Sequence, residues 1–312
     1  MIGLWAFRLA VPVGIVYTSG MDLGSSLHAT AQALPHKTAF ICGTEALSYA
    51  ELDRSAGQLA QWLLERGLQS GDRVAIHSGN STQAVQLFYA CFRAGLIAVP
   101  VNARLKALEM AYVLDHSGTK LCYTQPALLP TAREAAANLA GLQLIGKLPE
   151  LSAAEPVPLP QVDENQPAVL IYTSGTTSRP KGVTHTHRTL LGAGGLMRQA
   201  GLLRDEKLLL MTSIMHASGL FFQMVPAVEQ GLTIILIASF DAGVVLDELE
   251  RHGATISAGL PAMVQFVVAE QEERPRNVRS LRLAYGGAIV CRWRCKRAFR
   301  RPSGYRCWRS TA

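Results

Sequence analysis

The 312-residue chain is predicted to form an α/β fold of mostly parallel sheets flanked by helices. Three observations carry that prediction. Short β-type runs alternate with apolar helical spacings along most of the sequence, and helices of ten or more residues between strands are what parallel crossovers require. Strand candidates such as Leu96-Ile97-Ala98-Val99-Pro100-Val101 are apolar throughout, as strands buried on both faces are. The proline-rich stretch Glu155-Pro156-Val157-Pro158-Leu159-Pro160 interrupts the alternation once, after which it resumes. A chain of this length suggests about two domains of ~100–200 residues.

Ser48-Tyr49-Ala50-Glu51 reads as a capping box, with the serine accepting from an early helical N–H and the glutamate reaching back to the cap. Leu52, Ala56, Leu59, Ala60, Leu63 and Leu64 then keep helical spacing, and Gly67 supplies the stop. Arg73 to Ile76 is a short strand, 83–94 a helix, 96–101 a strand, 105–116 a helix, 120–124 a strand and 127–140 a helix. Residues 155–167 read as a linker between a first lobe, 23–154, and a second, 168–288. The second lobe is expected to run through strand 168–173, loop 174–182, helix 187–200, strand 207–213, helix 218–229, strand 232–238, helix 242–252, strand 254–259, helix 262–270 and strand 281–284.

With 49% hydrophobic and 17% charged residues and no uninterrupted apolar run long enough for a bilayer, the composition is that of a soluble globular protein without stable membrane insertion. The net charge of +7 is uneven. Eight of the 30 basic residues and none of the 23 acidic ones fall in 289–312, leaving 22 against 23 in the rest. Clustered arginine with aromatics is also the composition of an arm for nucleic acid or an acidic partner. No recognised binding motif accompanies it here, so no nucleic-acid partner is expected. Cys42, Cys91 and Cys122 stand singly in apolar segments and read as small buried hydrophobes in a reducing compartment. Cys291, Cys295 and Cys307 in the tail have no fourth ligand for zinc beside them. Residues 1–22 read as a loose extension: Arg8, Pro12 and Gly14 break the apolar run, no A-x-A site precedes Met21, and Met21 is a candidate start. A cytoplasmic protein is expected.

The most informative stretch is YTSGTTSRPKGV, 172–183. A strand that enters a glycine- and hydroxyl-rich turn and then a helix points backbone N–H groups at an anion, and phosphate is the natural candidate. Ser174, Thr176 and Thr177 add hydroxyl donors, Gly175 and Gly182 permit close approach, and Lys181 supplies a mobile positive charge. The common P-loop ends in Gly-Lys-Ser/Thr, whereas here Lys181 follows Pro180 and precedes Gly182.

This stretch resembles the phosphate-binding signature of the AMP-forming adenylating enzymes, the superfamily of acyl-CoA synthetases, firefly luciferase and nonribosomal peptide adenylation domains. Ser178 stands where a third glycine is usual. The resemblance covers about 23–288. Thr186-His187-Arg188 matches the opening of the next helix, where a threonine cap and a partly exposed histidine suffice as a reading. Met215-His216-Ala217-Ser218-Gly219-Leu220 resembles the segment beside the carboxylate pocket, with His216 at its aromatic or histidine gate. Leu283-Ala284-Tyr285-Gly286-Gly287-Ala288 resembles the strand and turn along the adenine and acyl pocket. The resemblance implies the large N-terminal domain of the acyl-adenylating fold, lacking the small C-terminal domain. The implied activity is AMP-forming ligation of a fatty or other carboxylic acid to coenzyme A, with ATP and Mg2+. It assigns nucleotide contacts to Thr173, Ser174, Gly175, Thr176, Thr177, Lys181, Gly182, Gly286, Gly287 and Ala288, catalytic roles to Lys181 and His216, and a magnesium contact to Thr176. Amino-acid-activating relatives place an aspartate near the gate. None occurs between Met211 and Glu229, which favours a plain carboxylic acid, and His216, Phe221, Phe222 and Met224 suggest an apolar pocket.

After Ala288 the family pattern calls for a Tyr-Gly-x-Thr-Glu segment, a ribose-binding aspartate and a C-terminal lysine. The sequence IVCRWRCKRAFRRPSGYRCWRSTA contains none of them. Its abrupt change of composition is what a shifted reading frame produces, and impaired catalysis is expected, with a non-catalytic ATP- or acyl-binding remnant as the alternative.

Overall fold

The computed structural model describes residues 20–151, 159–173, 179–193, 205–286 and 289–292. In chain order the elements are α1 (Leu23–Ala33), β1 (Thr38–Cys42), β2 (Glu45–Ser48), α2 (Tyr49–Glu65), β3 (Arg73–Ser78), α3 (Thr82–Ala94), β4 (Ile97–Asn102), α4 (Ala107–His116), β5 (Thr119–Thr124), α5 (Leu129–Ala136), β6 (Gln143–Ile145), β7 (Pro167–Thr173), β8 (Lys181–Thr186) and α6 (His187–Ala193). There follow β9 (Lys207–Leu210), a helical stretch α7 over 217–229, β10 (Thr233–Leu236), α8 (Ala242–His252), β11 (Ile256–Gly259), α9 (Pro261–Glu273), β12 (Leu283–Gly286) and β13 (Ile289–Arg292).

The strands form two sheets, of order β13-β12-β11-β9-β10-β1-β2 and β6-β5-β3-β4-β7-β8. All pairings are parallel except those of the edge strands β2, β13 and β8. The predicted α/β class with mostly parallel sheets is the class observed.

Three apolar clusters define five layers. The inner faces of both sheets, through Val74 and Ile76 on one and Leu208, Leu210 and Ile234 on the other, share a core with α1, α2 and α3. Val99, Val101 and Cys122 carry the outer face of the second sheet under α4 and α5, and Leu209, Ile235 and Ile237 carry the outer face of the first under α8. Alternate residues of one strand therefore serve different layers, as Val74 and Ala75 do. α3 lies between the sheets, with Ala84, Val85, Leu87, Phe88, Tyr89, Ala90, Cys91, Phe92 and Ala94 all buried, which is why its sequence is apolar nearly all round. Ser81 caps it by accepting from the Ala84 N–H, and Gly95 ends it at φ 68°. The box at α2 is present as predicted: the Ser48 N–H donates to Glu51 and the Glu51 N–H to Ser48 Oγ. Cys91 and Cys122 are buried free thiols and Cys42 is half-buried.

The sheets interleave across 155–167 instead of dividing there. β7 and β8 complete the sheet of 73–145, whereas β1 and β2 join the sheet of 207–292. Periodicity reports that a strand is buried and not which sheet buries it. Elements absent from the sequence reading are short or partly solvated: α1, β1, β2, β6, β8 and β13. The predicted helix 127–140 is a 3-10 turn, Pro126–Leu128, followed by α5. Strand 207–213 stops at Leu210, and two residues on, the Thr212 carbonyl is taken by a side chain described below.

Among the described residues no helix is long and apolar enough to cross a membrane.

Candidate functional site

The segment that follows β3 and the last residue of β4 meet the segments that follow β9 and β10, at the carboxyl ends of parallel strands, where ligand crevices form in open α/β sheets. Asn80, two residues beyond β3, makes the joint. Its Nδ2 donates to Thr212 O at 2.9 Å and Ile237 O at 2.8 Å, past the ends of β9 and β10, and its Oδ1 accepts from the Ile214 N–H at 2.9 Å. The side chain is buried and its bonding capacity is spent on backbone, so it fixes the turn that leads to Met215-His216.

His216 opens α7, which runs as Ala217–Gly219, a π turn Leu220–Met224 and Val225–Glu229. Its carbonyl accepts from the Gly219 and Leu220 N–H groups. Its exposed ring reaches across the interface, Nε2 lying 3.0 Å from Asn102 Nδ2 at the end of β4. Partial desolvation of the ring and the nearby Arg104 guanidinium lower its pKa, so it is neutral near pH 7. Gly219 is glycine for want of space: a Cβ there would lie 2.3 Å from Ser213 O. Of the predicted apolar pocket residues, Phe221 and Met224 belong to the core, and only Phe222, half-exposed, joins His216 at the surface.

The signature stretch is a hairpin. β7 and β8 pair antiparallel with Thr173 opposite Lys181, Tyr172 opposite Gly182 and Ile171 opposite Val183. The predicted order strand–turn–helix is thereby corrected to strand–loop–strand–helix. Anion binding by the dipole of the following helix is removed, since α6 begins only at His187. The alternation of Lys181, Val183 and Thr184 gave no hint of β8, because an edge strand with one solvated face carries little apolar pattern. Ser174, Gly175, Thr176 and Thr177 lie outside the described residues. Thr173 and Lys181 are exposed at the hairpin base. Lys181, Val183 and His185 share one face of β8, and the His185 ring packs edge-on against Phe221 of α7 at 4.5 Å. That contact joins the Lys181 strand to the His216 helix. Gly182 makes room for side chains: a Cβ would meet Leu170 Cδ1 at 3.0 Å and Tyr172 Cζ at 3.3 Å.

His187 departs from its expected partial exposure. It is fully buried, because α1 docks on it: the Leu23 N–H donates to Nδ1 at 3.2 Å, and Phe92 packs edge-on at 5.9 Å. Burial lowers its pKa to about 4 against the opposing pull of Asp22. His185 and His187 thus point to different neighbours and make no metal pair. Thr186 does cap α6, its Oγ1 accepting from the Thr189 N–H at 3.2 Å. Gly286 pairs with Gly259 and Ile289 at the carboxyl end of β12, and Gly287 and Ala288 lie outside the described residues. Among the described residues no group of three or more His, Cys, Asp or Glu gathers where it could hold a metal.

Sequence reasoning passed over Asn80, Asn102, Tyr112 and His116. Two are asparagines after strands, where turn chemistry explains them adequately, and two are helix residues without a motif. Only the fold puts them beside the site.

The described residues thus bring an exposed lysine to a hairpin base, a neutral imidazole to the opening of α7 and the Gly259–Gly286 pair to the ends of neighbouring strands. The family model of AMP-binding enzymes matches residues 27–304. A feruloyl-CoA synthase of Amycolatopsis sp is 37% identical over 272 residues, 86% of this chain and 55% of that protein. A sulfoacetate–CoA ligase of Cupriavidus necator is 31% identical over 252 residues, 77% of this chain and 49% of that protein. The solved structure of a Mycobacterium tuberculosis fatty acyl CoA synthetase superposes with a TM-score of 0.78 at 26% identity, covering 86% of this chain and 55% of that one. The chain spans about half the length of the curated relatives it matches.

Proposed function

Since the chain belongs to the AMP-binding enzyme family, we propose that it carries the nucleotide- and acyl-binding part of an AMP-forming carboxylic acid–CoA ligase acting in the cytoplasm. In that reaction a substrate carboxylate attacks the α-phosphorus of ATP, pyrophosphate leaves, and the thiol of coenzyme A displaces AMP from the acyl adenylate. The observation that carries the reading is the placement of Lys181, exposed opposite Thr173 on a strand whose same face meets the His216 helix.

Negative charge grows on the departing pyrophosphate. Lys181, with the Thr173, Ser174, Thr176 and Thr177 hydroxyls and the backbone at Gly175 and Gly182, would stabilise it. Fixed donors of this kind are worth on the order of 10²- to 10³-fold in rate. Gly286, Gly287 and Ala288 would let the adenine and acyl groups pass close to backbone. His216, neutral and exposed, would cover the acyl group with Phe222. Thr176 would supply the magnesium contact. The absence of an aspartate between Met211 and Glu229 favours a plain carboxylic acid, and the feruloyl-CoA synthase relative makes ferulate the first acid to try.

The test is acid-dependent ATP–pyrophosphate exchange by the whole chain with ferulate and a fatty acid, against Lys181→Ala. Exchange that falls about 10²-fold or more in the variant supports the ligase. A second reading is ATP and acyl binding without turnover, as 289–312 contains no Tyr-Gly-x-Thr-Glu segment. It predicts ATP binding with no exchange. Absence of ATP binding sinks both.

A further inference from the structure

We propose that Tyr112 and His116 of α4 are positioning residues that fix the base of the 173–181 hairpin and so the placement of Lys181. Both strands of the hairpin are held by this one helix. On the outgoing strand, Tyr172 Oη lies 2.7 Å from His116 Nδ1. On the return, the Tyr112 O–H donates to Pro180 O at 3.1 Å, and the Arg179 guanidinium sits over the Tyr112 ring, 5.9 Å from its centroid. Lys181 is the next residue.

The three rings brace one another. Tyr112 stacks on His116 with centroids 5.2 Å apart, and each meets Tyr172 edge-on, at 6.4 and 5.7 Å. Gly182, opposite Tyr172, leaves the space in which that ring lies. The platform itself is fixed, because Met110, Val113 and Leu114 bury the other side of α4 against the sheet.

A purely structural contact would be expected to keep its polar atoms from water. Here His116 and Arg179 are exposed and Tyr112 and Tyr172 only half-buried, so water can replace each bond at little cost in stability. What the bracket adds is location. Pro180 has no N–H to donate, so its carbonyl is the backbone group by which a neighbour can hold it, and Tyr112 takes it. The consequence for nucleotide binding rests on the phosphate reading of Lys181 given above; the bracket does not.

The test uses the 312-residue chain with Tyr112→Phe, which keeps the ring and removes the donor, and the pair His116→Ala and His116→Gln. Three quantities are read: hydrogen exchange at the amides of 173, 179 and 181–183 without ligand, ATP affinity, and thermal midpoint. One net hydrogen bond corresponds to roughly 3- to 10-fold, so Tyr112→Phe should speed exchange at those amides and weaken ATP by about that factor, with the midpoint within about 2 °C of wild type. His116→Ala should do the same, and His116→Gln, able to bond Tyr172, should recover most of it. Unchanged exchange in Tyr112→Phe overturns the bracket, as does a rise spread over the whole chain with a matching drop in midpoint. Faster exchange at 179 and 181–183 in a chain that binds no ATP supports the bracket and overturns the phosphate reading alone.

Discussion

At the His216 turn the bonds made by Asn80 are buried: it holds three backbone groups inside the protein, and Gly219 lies too close to Ser213 O to admit a methyl group. At the hairpin base the fixing bonds lie at the surface, and Gly182 abuts only the ends of the Leu170 and Tyr172 side chains. The difference is one of what yields. Backbone packed on backbone has no soft coordinate, whereas rings and a guanidinium at a surface can shift and be replaced by water. On the function proposed above, a bound molecule would therefore meet one wall set by the core and one set by a bracket that can let go.

Acid is expected to have the largest effect, because it attacks a support on each side. His77 on β3 and His187 on α6 are fully buried, and burial lowers both pKa values to about 4. Below the unfolded value near 6.5 the unfolded chain binds protons that these imidazoles refuse. Their stabilisation is thus complete above about pH 6.5 and lost as pH falls toward 4, up to about 3 kcal/mol for each. Urea midpoints from pH 7 to 4.5 should fall steeply, and His187→Gln should flatten part of the slope. A flat profile would mean the rings are not neutral and buried.

Asn80→Ala should come next, at about 3 kcal/mol, because it orphans two carbonyls and an N–H in the interior. Gly219→Ala should cost about as much, since backbone must move to admit the Cβ. Both are read from denaturation midpoints, and a loss under ~1 kcal/mol in either would erase the contrast between the two walls. Gly182→Ala should cost only about 1 kcal/mol, as the Leu170 and Tyr172 tips swing aside, yet weaken ATP binding because Tyr172 leaves His116. A Gly182→Ala chain as unstable as Gly219→Ala would show the hairpin base to be as rigid as the turn. The smallest effect belongs to His216→Ala. An exposed ring with one hydrogen bond should change stability by less than about 0.5 kcal/mol, whatever it does to acid-dependent exchange.

The rigid wall was the harder one to read in advance. His216 and the glycine three residues on stood out in sequence, but the asparagine that holds them is over 130 positions away and belongs to the other sheet. The hairpin gave the opposite result. Its residues announced themselves by chemistry, while its shape was misread, since Lys181-Gly182-Val183-Thr184-His185-Thr186 has neither a helical period nor a clean alternation. Parallel strands buried on both faces, such as β3, β4 and β10, were plain from apolar runs alone. Which sheet each strand joins is a property of contacts distant in sequence, and for that reason the strand expected over 168–173 was not placed in the sheet of 73–145.

That exchange of strands bears on how the chain is made. Thr38 O waits for the Thr233 hydroxyl, 195 positions later, and β1 has no parallel neighbour until β10 exists. At ribosomal rates of about 5–20 residues per second, the β1–β2 hairpin stands with an unpaired edge for roughly 10 to 40 s. During that interval Ala39 and Phe40, fully buried once folded, have no partner sheet. A nascent chain so arranged offers chaperones a binding site and offers aggregation a template, and its yield should respond more to the speed of translation than to the stability of the finished protein.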